Sequence, residues 1–207
     1  MRFINPKTDF AFKKIFGSPQ SKEILISFLN AILYDGKPTI KDLEIIDPYL
    51  APKIQGVKDT YLDVRAFLSG GQKVIIEMQV LNVAAIEKRI LYNAAKSYSL
   101  QLDKGEKYHL LNPVIALTIT DFKMFEKSEE IISWYVLKEK ERLTDYPESD
   151  LELVFVELPK FHKKLEELSD IKDKWMYFLK YCDELSEIPE PYDGISEFTK
   201  AFEIANK

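Results

Sequence analysis

The stretch Tyr61-Leu-Asp-Val-Arg-Ala-Phe-Leu-Ser-Gly-Gly-Gln-Lys-Val-Ile-Ile-Glu-Met-Gln-Val80 sets the tightest limit on what this chain can fold into. Residues 61–68 and 73–80 are rich in Val, Ile, Tyr and Phe. Ser69-Gly70-Gly71-Gln72 separates them, the pattern of a β-hairpin. Three polar side chains interrupt the apolar runs: Asp63, Glu77 and Gln79. Strands this apolar are expected to be buried, and a buried unpaired carboxylate is costly. Two side by side are worse unless a cation neutralises them. The hairpin therefore carries the mark of a metal site.

Register decides whether that site can form. Side chains alternate faces along a strand, so Glu77 and Gln79 share one. Asp63 joins them only opposite Glu77 or Gln79, which requires paired residue numbers to sum to 140 or 142. A two-residue Gly70-Gly71 turn gives 141 and turns Asp63 to the wrong face. The expectation is a loop of three or five residues, or a bulge, which glycine readily permits. The carboxylates would then stand about 5 Å apart at Cβ, within reach of one divalent ion.

Composition excludes several other classes. The chain has 207 residues, 46% hydrophobic and 13% aromatic, enough for a folded core. No apolar run reaches 18 residues, so no membrane span is expected, and the segment Met1–Asp9 lacks the apolar stretch of a signal peptide. Cys182 stands alone, which rules out a disulfide framework or a cysteine metal cluster, and a reducing cytoplasm is the expected compartment. Net charge is −5, with 16 basic against 13 acidic residues over 1–121 and 13 against 21 beyond. That asymmetry is mild enough to be solvated surface, and it does not advertise nucleic-acid binding.

Taken in order, Thr8–Gly17 reads as a short helix with Thr8 or Asp9 as cap and Gly17 as a left-handed stop. A second helix opens at Ser18-Pro19 and buries Ile24, Leu25, Phe28, Leu29, Ile32 and Leu33 on one face. Residues 43–47 suggest a strand, and 48–59 an irregular approach to the hairpin. After Val80 the spacing of Ile86, Ile90, Leu91, Ala94, Tyr98 and Leu102 turns helical, up to Gly105. Residues 112–121 give the strongest buried-strand pattern in the chain. Strand, helix, strand implies a parallel crossover. Residues 131–137 and 151–158 read as two further strands, and helical patterns follow from Pro159. The picture is an α/β fold, a mixed β-sheet with helices on both faces and a helical C-terminal part. Residues 1–185 are expected to form its domain and 186–207 an acidic tail that can be helical. The aromatics Phe122, Phe125, Trp134 and Trp175 are placed in the core, and His109 and His162 as structural.

An aspartate facing Glu-x-Gln on adjacent strands, backed by a crossover helix, resembles the PD-(D/E)xK nuclease core, whose sheet is restriction-endonuclease-like. Asp63 takes the aspartate position, and Glu77-Met78-Gln79 the E-x-K segment with Gln79 in place of lysine. The resemblance continues through Asp9–Gly17, Leu62–Ala66, Ile76–Gln79, Arg89-x-x-Tyr92, Asn112-Pro-Val114 and Glu157-Leu-Pro-Lys-Phe161, over roughly residues 3–180. In that order these segments look like the recombination-promoting nuclease, transposase-like branch, which carries E-x-Q. The resemblance implies a Mg²⁺-dependent DNA endonuclease, with Mn²⁺ a possible substitute. Its biology would be recombination, mobile elements or defence. The alternative is a catalytically weak or inactive nuclease-fold module that binds DNA or protein. A homodimer is expected only by analogy with nucleases that cut both strands.

Chemistry assigns roles. Mg²⁺ favours carboxylate, carbonyl and water oxygens and lowers the pKa of bound water. Asp63 and Glu77 would be direct ligands, with a backbone carbonyl near Met78 as a third. An amide does not titrate usefully, so Gln79 orients water or phosphate, and any separate base would be Lys58 or Lys13. Each assignment has a plainer rival. Asp63 could pair with Arg65 or Lys73 at the surface, and Gln79 could be an edge residue. Asp9 is either a helix-start carboxylate or a motif position supporting metal or DNA. Lys13 and Lys14 are either solvated or phosphate contacts. Arg89, Tyr92 and Lys96 share a helix face that meets either the DNA backbone or a neighbouring element.

Overall fold

The computed structural model describes residues 3–50 and 60–206. Thr8 caps the first helix, α1 (Asp9–Phe16), its hydroxyl accepting from the Ala11 amide. Asp9 in the first turn and Lys13 and Lys14 in the last complement the helix dipole. A 3₁₀ turn at Pro19–Ser21 leads into α2 (Lys22–Leu33). Then come β1 (Leu43–Ile46), β2 (Tyr49–Leu50), β3 (Thr60–Tyr61), β4 (Val64–Leu68) and β5 (Lys73–Gln79). The crossover helix α3 (Ile86–Ser99) connects β5 to β6 (Val114–Thr120). The chain continues through β7 (Ile132–Tyr135), β8 (Leu151–Glu157), α4 (Ile171–Tyr181) and α5 (Ser196–Ala205).

Among the described residues, six strands form one mixed sheet in the order β1-β4-β5-β6-β8-β7, while β2 and β3 pair separately. The hairpin is β4 and β5. Val64 pairs with Ile76, Arg65 with Ile75, Ala66 with Val74 and Phe67 with Lys73. Opposed numbers sum to 140, the even sum expected, and Asp63 stands just ahead of the first paired residue, Val64. The Leu68 amide donates to the Gln72 carbonyl at 2.8 Å and the Gly71 amide to the Leu68 carbonyl at 2.9 Å. These bonds close the odd, three-residue loop that the carboxylates require. Gly71 sits at φ +96°, the left-handed position such a loop assigns to glycine.

β5 and β6 run parallel, and β8 lies parallel on the far side of β6. All seven residues of β6 are buried, as a parallel strand covered on both faces demands. Val64, Ala66, Val74 and Ile76 face a core shared with α1, α2, α4 and α5. Ile75, Ala116 and Phe155 face the other way, toward Ala94, Ile86 and Ile90 of α3. The fold is thus the expected restriction-endonuclease-like mixed sheet with helices on both faces. Among the described residues, no helix is long and apolar enough to cross a membrane.

Three details depart from expectation. Gly17 has φ −103° and is not a left-handed stop. A Cβ there would stand 2.9 Å from the Lys13 carbonyl and 3.3 Å from Val64 Cγ2, so glycine lets α1 close onto β4 beside Asp63. Trp134 is 43% exposed rather than core, because β7 is an edge strand. The segment 186–207 carries α5, whose Phe198 and Phe202 are fully buried, with Trp175 and Phe198 centroids 4.1 Å apart. α5 also returns to the start of the chain, where the Ile4 amide donates to the Ala205 carbonyl at 2.7 Å.

Candidate active site

At the C-terminal end of β5 a cleft of about 500 Å³ opens between α1, β3, the hairpin and α3. Asp9, Lys13, Asp63, Glu77, Met78, Gln79, Arg89 and Tyr92 line it, together with Thr60, Tyr61 and Asn93. The register places the two central carboxylates. Asp63, just before β4, is anchored by the Met78 amide, which donates to its Oδ2 at 2.7 Å. Its Oδ1 faces Lys13 Nζ at 3.5 Å, and the same ammonium lies 2.6 Å from Asp9 Oδ1. Arg65 turns instead to the main-chain oxygens of Asp47 and Tyr49. The surface ion pair that was the plainer reading of Asp63 is therefore not formed with Arg65.

Electrostatics follow from burial. Glu77 is only 7% exposed, and desolvation pushes its carboxyl up to about 7. The neighbouring Asp63 charge adds to the rise, while Arg89 and the Asn93 hydrogen bond oppose it. Asn93 Nδ2 donates to Glu77 Oε1 at 2.8 Å, and among the described residues the other Glu77 oxygen has no hydrogen-bond donor. Burial also raises Asp63, outweighing the Met78 amide and Lys13. The hydrogen bond from Lys13 holds Asp9 below the usual carboxylate range. Burial disfavours the Lys13 charge, but Asp9 and Asp63 together raise its pKa. That direction favours Lys13 as a charged partner of Asp9 and Asp63 over a role as a general base.

The remaining expected residues divide. Arg89 donates to Gln79 Oε1, fixing the amide so that its NH₂ is the group left to donate. Lys14 is exposed on α1 and does not line the cleft. Lys96 is buried, its ammonium 3.2 Å from the Thr60 hydroxyl, so it braces α3 against β3 rather than facing outward. Lys58 lies outside the described residues. Sequence reasoning missed Asn93, Thr60 and Tyr61. Asn93 was within reach, since it sits one turn after Arg89 on the same helix face.

Other parts of the molecule offer less. A cavity of about 500 Å³ on the opposite face is bordered by Asp35 and Asp173, which are already paired with Lys172 and Lys163 at 2.6 Å. Burial pushes the Cys182 thiol up to about 12, so it is no nucleophile.

Among the described residues, no three His, Cys, Asp or Glu side chains converge to form a ready-made metal cage. Asp63 and Glu77 are a pair of hard oxygen donors whose buried charges lack full compensation. That set fits an ion such as Mg²⁺, which takes one or two carboxylates and keeps several waters.

No curated protein and no solved structure matches the chain. Its sequence does match the family described as PD-(D/E)XK nuclease family transposase, over residues 6–207. The match takes in α1, the hairpin, α3 and also α5, so the elements that build the cleft and those that close the core beneath it fall within one family pattern. With the mixed sheet and the Asp63, Glu77 and Gln79 placement it leads to a single assignment: the chain belongs to the PD-(D/E)XK nuclease family transposases.

Proposed function

We propose that this protein is a divalent-metal-dependent DNA endonuclease that hydrolyses phosphodiester bonds at the Asp63–Glu77 cleft. The observation that carries the reading is the pair itself: two desolvated carboxylates lining one cleft, one of them pushed up to about 7. Buried charges of one sign that Lys13 and Arg89 offset only in part are unfavourable, and a divalent cation relieves them.

When bound, Mg²⁺ or Mn²⁺ supplies Lewis acidity at the phosphate and a water of lowered pKa. Asp63 and Glu77 would hold the ion, with the Met78 carbonyl as a further oxygen. Asn93 keeps one Glu77 oxygen oriented. Gln79, its carbonyl taken by Arg89, offers its NH₂ to the attacking water or the scissile phosphate. Lys13 and Arg89 place positive charge beside a phosphate. None of these side chains needs to act as the base.

Supercoiled plasmid incubated with the protein in Mg²⁺ or Mn²⁺ should be nicked or linearised. EDTA, Asp63→Ala or Glu77→Ala should each abolish cutting. Equal behaviour of wild type and both variants in every metal would exclude the reading and favour a module that binds without cutting.

A further inference from the structure

We infer that the cleft takes unpaired nucleotides of DNA, with Tyr61 and Tyr92 as stacking surfaces for exposed bases. This rests on the nuclease reading above and adds the class of substrate. The substrate would be a single strand, an overhang, or a base extruded from a duplex.

The first observation is where the aromatic surface lies. Tyr61 is 70% exposed and Tyr92 41% exposed, and both line the carboxylate cleft, one from β3 and one from α3. Scattered exposed aromatics are ordinary. Two on the walls of a cleft with a desolvated carboxylate floor are a more specific arrangement. Tyr61 is also held in place. It is the cross-strand partner of Tyr49, and the two rings stack at 4.7 Å between centroids with planes 22° apart. One ring face is taken by Tyr49, and the ring remains largely open to solvent.

The second observation is charge. Among the described residues lining the cleft, the cations are Lys13 and Arg89. Both are engaged, Lys13 with Asp9 and Asp63 and Arg89 with Gln79. The whole chain carries −5. Duplex binding draws its affinity from many phosphate contacts, and the described residues lining this cleft provide two cations. Beyond those two cations, affinity draws on contacts that are not ionic. Aromatic rings supply them to bases, and they need a base face. A continuous duplex hides base faces in its stack and presents only edges in the grooves. An unpaired nucleotide exposes a face.

The tyrosine hydroxyls could instead bond phosphate oxygens. Stacking and hydroxyl bonding separate cleanly, because phenylalanine keeps the ring and loses the hydroxyl. The experiment uses the full chain in EDTA, where cleavage is off, and fluorescence anisotropy with three labelled DNAs of one sequence. These are a single strand, a blunt duplex, and a duplex with a central unpaired loop. The single strand and the looped duplex should bind at least about tenfold more tightly than the blunt duplex. Tyr61→Ala and Tyr92→Ala should each weaken single-strand binding by about tenfold, and Tyr61→Phe and Tyr92→Phe by less than about twofold. Two phosphate contacts predict a log–log salt slope near −1.4, roughly. Thermal melts confirm that the variants fold. Equal or tighter binding of blunt duplex, no binding to any of the DNAs, or phenylalanine as damaging as alanine would overturn the inference. Metal-dependent plasmid cutting that ignores the tyrosines would overturn it while leaving the nuclease reading intact. Unpaired DNA bound through the tyrosines but never cut would do the reverse.

Discussion

Replacing Glu77 by glutamine removes a charge that burial disfavours, and the effect should be readable as stability. The Glu77 carboxyl is pushed from 4.5 up to about 7 in the folded protein, chiefly by desolvation. The folded state therefore holds this proton more tightly than the unfolded chain does. Its contribution to stability is fully present below pH 4.5 and is lost as pH rises through about 7. The difference between 4.5 and about 7, at roughly 1.4 kcal/mol per pH unit, corresponds to about 3 kcal/mol. Glutamine keeps the shape and can still accept from Asn93, and it does not titrate. In EDTA, Glu77→Gln should thus gain about 3 kcal/mol on wild type between pH 4.5 and pH 8.5. For a domain of this size that is a relative rise in Tm of about 6–12 °C. Urea titrations across this pH range measure it directly. Adding Mg²⁺ at pH 8 should then stabilise wild type and leave Glu77→Gln unmoved, by mass action on the folded state. A stability difference that stays constant with pH would mean that Glu77 titrates as an ordinary carboxylate, and the argument from burial to metal would fail.

Other perturbations have equally definite outcomes. Because a ligand carboxylate must be deprotonated, metal affinity measured by calorimetry should rise with pH through about 7 and level off above it. Asn93→Ala removes the donor that orients Glu77, and metal affinity or cutting should fall by about 10–100-fold with little change in fold. Lys160 is buried and paired with Glu157, whose other oxygen accepts the Met124 and Phe125 amides, so Lys160→Met leaves a buried charge and should cost about 3–5 kcal/mol in urea unfolding. Truncation after residue 185 takes Tyr192, Phe198 and Phe202 out of the core, and cooperative unfolding by circular dichroism should be lost.

Much of the site was legible because strand parity is rigid. Once Asp63 and Glu77 had to share a face, an odd loop followed, and the three-residue Ser69–Gly71 loop satisfies it. β6 was legible for a similar reason: a strand buried on both faces has no polar residue to break its pattern except threonine. What escaped depends on tertiary approach. Gly17 does end α1, but without the left-handed turn, and its lack of a Cβ serves the close approach of the Lys13 carbonyl and of Val64 from across the chain. Lys96 shares a helix stripe with Arg89 and Tyr92, but β3 covers its end of α3 and turns it inward. Asn93 carries no charge and breaks no pattern, so only its 2.8 Å bond to Glu77 gives it a role. Residues 186–207 read as an acidic tail with a helical option because five acidic residues face two lysines there, a composition that hides how Phe198 and Phe202 close the core.

The central claim is that Asp63 and Glu77 hold a divalent ion, and Mn²⁺ makes that directly visible. Crystals soaked in Mn²⁺ at pH 8 should give an anomalous difference peak between the two carboxylates. It should lie at about 2.2 Å from an oxygen of each, close to Mg²⁺ coordination distances. The peak should be absent in Asp63→Asn and Glu77→Gln. A cleft that shows no peak in saturating Mn²⁺, with Lys13 still bridging Asp9 and Asp63, would contradict the account.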